Sequence, residues 1–132
     1  MNYLRFAYLI IISQITLLRA QCDDRKTITY TDGSVGTYVG CLDDFENFEG
    51  TGVLTNDAFI KKGNWKQGKL NGEGTLTVLS DDAVFRGDWQ NDELISGSYT
   101  LRTENFELNY LGRFRNLKFH GTGKRIFTTS SY

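Results

Sequence analysis

Four short units recur along this chain, each a central glycine with an aromatic ring two residues away on one or both sides. They are Tyr38-Val39-Gly40-Cys41-Leu42, Lys61-Lys62-Gly63-Asn64-Trp65, Phe85-Arg86-Gly87-Asp88-Trp89 and Tyr110-Leu111-Gly112-Arg113-Phe114. The central glycines Gly40, Gly63, Gly87 and Gly112 lie 23, 24 and 25 residues apart. A short turn follows each unit and then, in three of them, a second glycine pair: Gly50/Gly52, Gly72/Gly74 and Gly121/Gly123. The third unit offers only Gly97, within Ser96-Gly97-Ser98-Tyr99. A period of this length marks one supersecondary unit stacked into an array, since no single unit can bury its own apolar face.

The spacing within a unit selects strand over helix. In Tyr110-x-Gly112-x-Phe114 the rings and the glycine share one face of an extended chain, where side chains alternate with period two. A glycine between two rings leaves a notch into which a neighbouring ring settles, and Gly121/Gly123 repeat the device on the returning strand. Polar turns are expected at Gln67-Gly68, Asn91-Asp92 and Asn116-Leu117 within repeats, and at Ser80-Asp81-Asp82 and Thr103-Glu104-Asn105 between them. Strands are therefore expected over 59–66, 70–79, 83–90, 94–102, 107–115 and 119–127, with an earlier pair near 26–42 and 50–55. The fold class is all-β: an elongated, single-sheet meander of stacked antiparallel hairpins, in which each hairpin draws stability from its neighbours.

Residues 38–127 resemble the MORN repeat, whose pattern is Tyr-x-Gly-x-Trp, a turn ending near glycine, and then Gly-x-Gly. The second unit matches through Gly63, Trp65, Gly68, Gly72 and Gly74, with Lys61 where the family prefers tyrosine. The fourth matches through Tyr110, Gly112, Phe114, Gly121 and Gly123, with Leu117 at the turn glycine. The first carries Leu42 at the tryptophan position and one extra residue before Gly50; the third carries Asp92 at the turn and a shifted second half. The resemblance implies a repeat core of Tyr38, Gly40, Gly63, Trp65, Gly72, Gly74, Phe85, Gly87, Trp89, Tyr110, Gly112, Phe114, Gly121 and Gly123. It also implies a scaffold or lipid-contact role of the kind linked to such arrays, and a structural part for His120 before Gly121.

Residues 1–20 stand apart from the array. Arg5, a mostly apolar run from Phe6 to Leu18, and Ala20 before Gln21 have the layout of a secretory signal peptide cleaved between Ala20 and Gln21. The alternative is an uncleaved anchor, for which the run is short. The expected organisation is a leader (1–20), an N-terminal cap segment (21–37), the repeats (38–127) and a tail (128–132), with a secreted or periplasmic location and no transmembrane span in the mature chain. Losing Arg5 and Arg19 with the leader takes the 15 basic side chains to 13 against 16 acidic ones. That balance gives no reason to expect nucleic acid. Cys22 and Cys41 are the only cysteines. In an oxidising compartment they read first as one disulfide, the alternative being two free thiols.

The sequence holds no catalytic or dinucleotide fingerprint, no clustered metal ligands and a single histidine, so a non-enzymatic role without cofactor or metal is expected. Charge is banded: residues 42–57 are acidic, 58–71 basic and 72–95 acidic, and 96 onward carries Arg102, Arg113, Arg115, Lys118, Lys124 and Arg125 against Glu104 and Glu107. Two binding readings follow. A protein partner or a second copy could use the off-register rings Tyr99, Phe106, Phe119 and Phe127. Alternatively, an anionic lipid or cell-envelope polymer could meet Arg113, Arg115, Lys118, Lys124 and Arg125.

Overall fold

The structure, a computed structural model, describes residues 22–129, so the expected leader, its cleavage point and residues 130–132 lie outside the described residues. Nine strands make one open antiparallel sheet whose spatial order is the sequence order. They are β1 (Asp24–Thr29), β2 (Val35–Leu42), β3 (Phe48–Thr55), β4 (Phe59–Lys66), β5 (Lys69–Val78), β6 (Ala83–Gln90), β7 (Glu93–Arg102), β8 (Phe106–Arg115) and β9 (Lys118–Thr129). Each strand packs in substance only against the strands before and after it. The all-β hairpin meander is thus observed, with strands from β4 onward close to the expected ranges.

Local backbone chemistry explains the hairpins. Gln67 and Gly68 (φ 50° and 80°), Asn91 and Asp92 (50° and 70°), and Asn116 and Leu117 (51° and 57°) are left-handed at both central positions. That is the two-residue turn whose twist matches paired strands. Leu117 is the outlier, because its Cβ meets a penalty of about 1–2 kcal/mol in this region that glycine escapes. The stretch 26–42, expected to be one extended segment, is two strands. Asp32-Gly33 turns the chain, with the Asp32 carboxylate accepting from the Ser34 amide (2.9 Å) and hydroxyl (2.7 Å). β3 also begins at Phe48, two residues earlier than expected, and β9 runs on to Thr129.

Pairing register puts the glycines of the units opposite one another. Gly40 faces Gly52, which faces Gly63, then Gly74, Gly87, Gly97, Gly112 and Gly123, in one unbroken row from β2 to β9. A Cβ at Gly40 would stand 2.6 Å from Gly52 Cα, one at Gly63 2.5 Å from Gly74 Cα, and one at Gly112 2.6 Å from Gly123 Cα. No real side chain tolerates such approaches without moving backbone.

Rings lie over this row. The Trp65 indole N–H donates to the Gly52 carbonyl (3.0 Å) and that of Trp89 to Gly74 (2.9 Å). In the outer repeats the Tyr38 hydroxyl donates to the Cys41 carbonyl and that of Tyr110 to Arg113, each at 3.0 Å. Each aromatic body is buried and each polar tip is satisfied. With Phe48, Leu54, Leu70, Leu76, Phe85, Leu94 and Phe114 these rings form one continuous core.

The departure of the third repeat has a physical cause. In the fourth hairpin Gly112 faces Gly123 and Arg113 faces His120, so Gly121 and Thr122 bulge, with Gly121 left-handed at φ 62°. In the third, Asp88 faces Ser96 and Trp89 faces Leu94, leaving Ile95 alone to bulge. Ile95 is not among the residues at positive φ, and the shorter bulge therefore does not require glycine.

The Cys22–Cys41 disulfide is formed, with Cα atoms 4.7 Å apart, and fastens the segment before β1 to the end of β2. Replacing both cysteines with serine is expected to cost about 2–4 kcal/mol, and thermal melts of oxidised, reduced and double-serine protein check it. Gly112→Ala should cost about 2–3 kcal/mol through backbone displacement. Gly33→Ala, whose Cβ meets nothing within 4 Å, should cost only the left-handed penalty of about 1 kcal/mol. Comparable melting shifts for the two variants would show that the row does not depend on close approach.

Candidate functional site

The rings Tyr38, Trp65, Phe85, Trp89, Tyr110 and Phe114 are buried, and Gly40, Gly63, Gly74, Gly87, Gly112 and Gly123 lie beneath them in the row. Gly72 and Gly121 sit in the bulges beside it. Burial, with the Asp24 and Glu49 charges nearby, pushes the Tyr38 phenol up to about 12. Tyr99 is half-buried, tilted against Phe85 at 4.8 Å and edge-on to Phe119 at 5.5 Å. Phe106 and Phe127 pair at 5.2 Å on the last two strands, where Phe127 is exposed.

The two ends of the core are built alike and finished differently. Tyr38 stacks on Phe48 (3.9 Å, 8°), and Trp65 of the next hairpin stands edge-on to both, at 5.6 and 5.2 Å. Tyr110 stacks on Phe119 in the same way (3.9 Å, 10°), and Phe114 of the same hairpin stands edge-on to both, at 5.1 and 5.8 Å. Among the described residues no following hairpin covers that pair. Leu70 and Leu94, which hold the position of Phe119 in their own repeats, are 0% exposed, whereas Phe119 is 39% exposed. Phe119 also walls an apolar recess of about 320 Å³ with Phe85, Tyr99, Leu108, Leu117 and atoms of Lys118.

Register divides the five basic candidates between two faces, since paired residues share a face. Arg115 faces Lys118, Arg113 faces His120 and Lys124 faces Leu111, all on the side away from the rings. Arg125 faces Tyr110 and so belongs to the aromatic side. None of the five makes an ion pair among the described residues. On the side away from the rings a groove of about 910 Å³ is floored by Gly63, Gly74, Gly87, Gly97 and Gly112, with Lys62, Arg86 and Arg113 and the acids Glu73 and Asp88 along it. The described residues hold no cluster of three or more metal-ligating side chains and no helix long and apolar enough to cross a membrane.

Sequence reasoning passed over Phe45. It stands 85% exposed at the crest of the first within-repeat turn, the one with an extra residue. The turn is braced from below. The Asp43 carboxylate accepts from the Phe45 amide (2.8 Å), the Asn47 amide (2.8 Å) and the Asn47 side chain (3.0 Å). Lys26 donates to the Glu46 carbonyl at 2.7 Å and lies 3.5 Å from its carboxylate. The Asn47 side chain first, then the Asn47 and Phe45 amides and the Lys26 charge, hold the Asp43 carboxyl below its ordinary value. The order this carboxylate imposes is therefore present above pH 3.8, the ordinary value, and is lost as pH falls through the lower folded value. Amide resonances of Phe45 and Asn47, followed by NMR, are expected to titrate with a midpoint below 3.8, the ordinary carboxyl value. A midpoint at or above 3.8 would remove the carboxylate from the bracing of the turn.

No protein-family model matches this chain, and no curated protein matches it.

Proposed function

We propose that the chain is an exported, non-catalytic MORN-like repeat array that serves as a protein-interaction or scaffold module, binding a protein partner or another copy of itself. The observation that carries this reading is the exposed aromatic surface at β9, where Phe119 is 39% exposed while its counterparts in the two preceding repeats are 0% exposed. Apolar surface beside a strand edge that is unpaired among the described residues is what a partner covers. The disulfide is consistent with an oxidising compartment outside the cytoplasm, and it supports export. The residues that carry the family pattern also make the hairpins and their turns.

A second reading rests on Arg113, Arg115, Lys118 and Lys124, which share the side away from the rings at the last hairpin. It makes the protein an adsorber to anionic lipid or envelope polymer. Salt separates the two, because exposed charges are screened as the Debye length falls from about 10 Å at 0.1 M to about 3 Å at 1 M. The protein-binding reading predicts capture of a specific partner, or of a second tagged copy, from the native extracellular fraction, retained in high salt. Sedimentation with anionic vesicles at low salt, released by high salt and without any protein partner, would favour the adsorber instead.

A further inference from the structure

Strand register sorts the charges of this sheet by face, which their banding along the chain conceals. Residues 22–129 hold 13 basic and 16 acidic side chains. Besides Arg113, Arg115, Lys118 and Lys124, the side away from the rings carries Arg25, Lys62, Lys66, Lys69, Arg86 and Arg102. Five acids share that side: Glu49, Glu73, Asp88, Glu93 and Glu107. Ten cations thus stand with five acids on one face, while the aromatic side, the turns and the loops hold three cations and eleven acids. A chain of acidic balance therefore presents one strongly basic face. Of those ten cations only Arg102 is in an ion pair among the described residues, with Glu107 at 2.8 Å. Lys66 faces Lys69 and Arg115 faces Lys118, like charges set directly opposite at a cost to the sheet.

Four of these cations form a line. One row of paired residues crosses all nine strands from Arg25 through Lys62 and Arg86 to Lys124. It runs beside the glycine row and contains no carboxylate. Its cations are three, two and three strands apart, about 14, 10 and 14 Å at about 4.8 Å per strand. The row makes one wall of the glycine-floored groove of about 910 Å³, and Glu73 and Asp88, which face each other, stand on the opposite wall. Every Phe, Tyr and Trp of the paired strands is on the other side of the sheet, so the groove has no platform on which nucleic-acid bases could stack. Thr75, Thr77 and Ser96 line it instead, and their hydroxyls both donate and accept hydrogen bonds. A planar bilayer would rest on the rims of such a groove, whereas a linear polymer enters it.

Resting on the anionic-adsorption reading, we infer that this side binds a linear anionic polysaccharide. The polymer lies across the strands along the groove, with its sulfates or carboxylates on Arg25, Lys62, Arg86 and Lys124 and its hydroxyls against the threonines and serine. Glu73 and Asp88 repel its charged groups and so hold them to the basic wall. The aromatic side, proposed above for a protein partner, is left free.

Titration of the purified, oxidised protein with size-fractionated heparin chains tests the proposal, with neutral dextran as the blank. The parent should bind heparin and not dextran, and lose affinity steeply as salt rises from about 0.1 M to 1 M. Lys62→Glu with Arg86→Glu should weaken binding roughly tenfold, and Lys124→Glu roughly fivefold. Arg125→Glu makes the same charge change one residue along, on the aromatic side, and should leave the affinity nearly unchanged. Glu73→Gln with Asp88→Asn should tighten binding. All these side chains are exposed, so melting temperatures should hold throughout. Absence of heparin binding, or equal losses for Lys124→Glu and Arg125→Glu, would overturn the inference. Tighter binding to oligothymidylate or to phosphatidylserine vesicles than to heparin would overturn it too. A preference for vesicles would leave the adsorption reading standing, and failure with heparin and vesicles alike would end both.

Discussion

The fold depends on a line of eight residues that have no side chains. From Gly40 to Gly123 every strand after the first contributes a glycine at the same level of the sheet. At Gly40, Gly63, Gly87, Gly97 and Gly112 the facing backbone stands too close for a Cβ, and at Gly52, Gly74 and Gly123 a ring takes its place. Register shifts fall at or next to the row in β2–β3, β4–β5, β6–β7 and β8–β9. A single-layer sheet has no opposing layer against which to bury its apolar face. Here the bare row lets rings of the same sheet lie down across backbone, and the row's carbonyls at Gly52 and Gly74 take the indole protons. Rings and glycines are therefore two halves of one device, and neither has a use without the other.

This division of labour tolerates variation in the repeats. The inner repeats cover the row with tryptophan placed after the glycine. The outer ones use tyrosine placed before it, reaching across to a carbonyl three residues on. The third repeat shortens its bulge by one residue and manages without its second glycine. In all four the row position is glycine and an aromatic ring lies over it.

Much of this was legible in the chain because the repeat phase carries it. Glycine spacing located the hairpins, alternation set the strands, and dipeptides such as Gln67-Gly68 and Asn91-Asp92 marked the turns. The first hairpin was harder to see. Lys26 to Thr37 lies ahead of the repeat pattern, so that only Asp32-Gly33 signals the reversal. The row itself could not be read from spacing, since it exists only once register is known. The same holds for the split of Arg125 from the other four cations and for the different finish of the two aromatic stacks. Phe45 escaped notice because an isolated aromatic in an acidic turn has no periodic partner, and exposure is a property of the folded chain.

Strand order that follows sequence order has a kinetic side. Every pairing in the sheet joins neighbours in the chain, so each hairpin can close with a short loop and no distant segment has to be found first. Growth of the sheet then resembles a zipper that can start at any hairpin and extend both ways. Its two ends do not resist opening equally. At β1 a covalent bond from Cys22 to Cys41 limits how far the first strand can separate. Among the described residues β9 is exposed along its whole length and held from one side only. Amide exchange should accordingly spread inward from the last hairpin, giving the array a direction in which it comes apart.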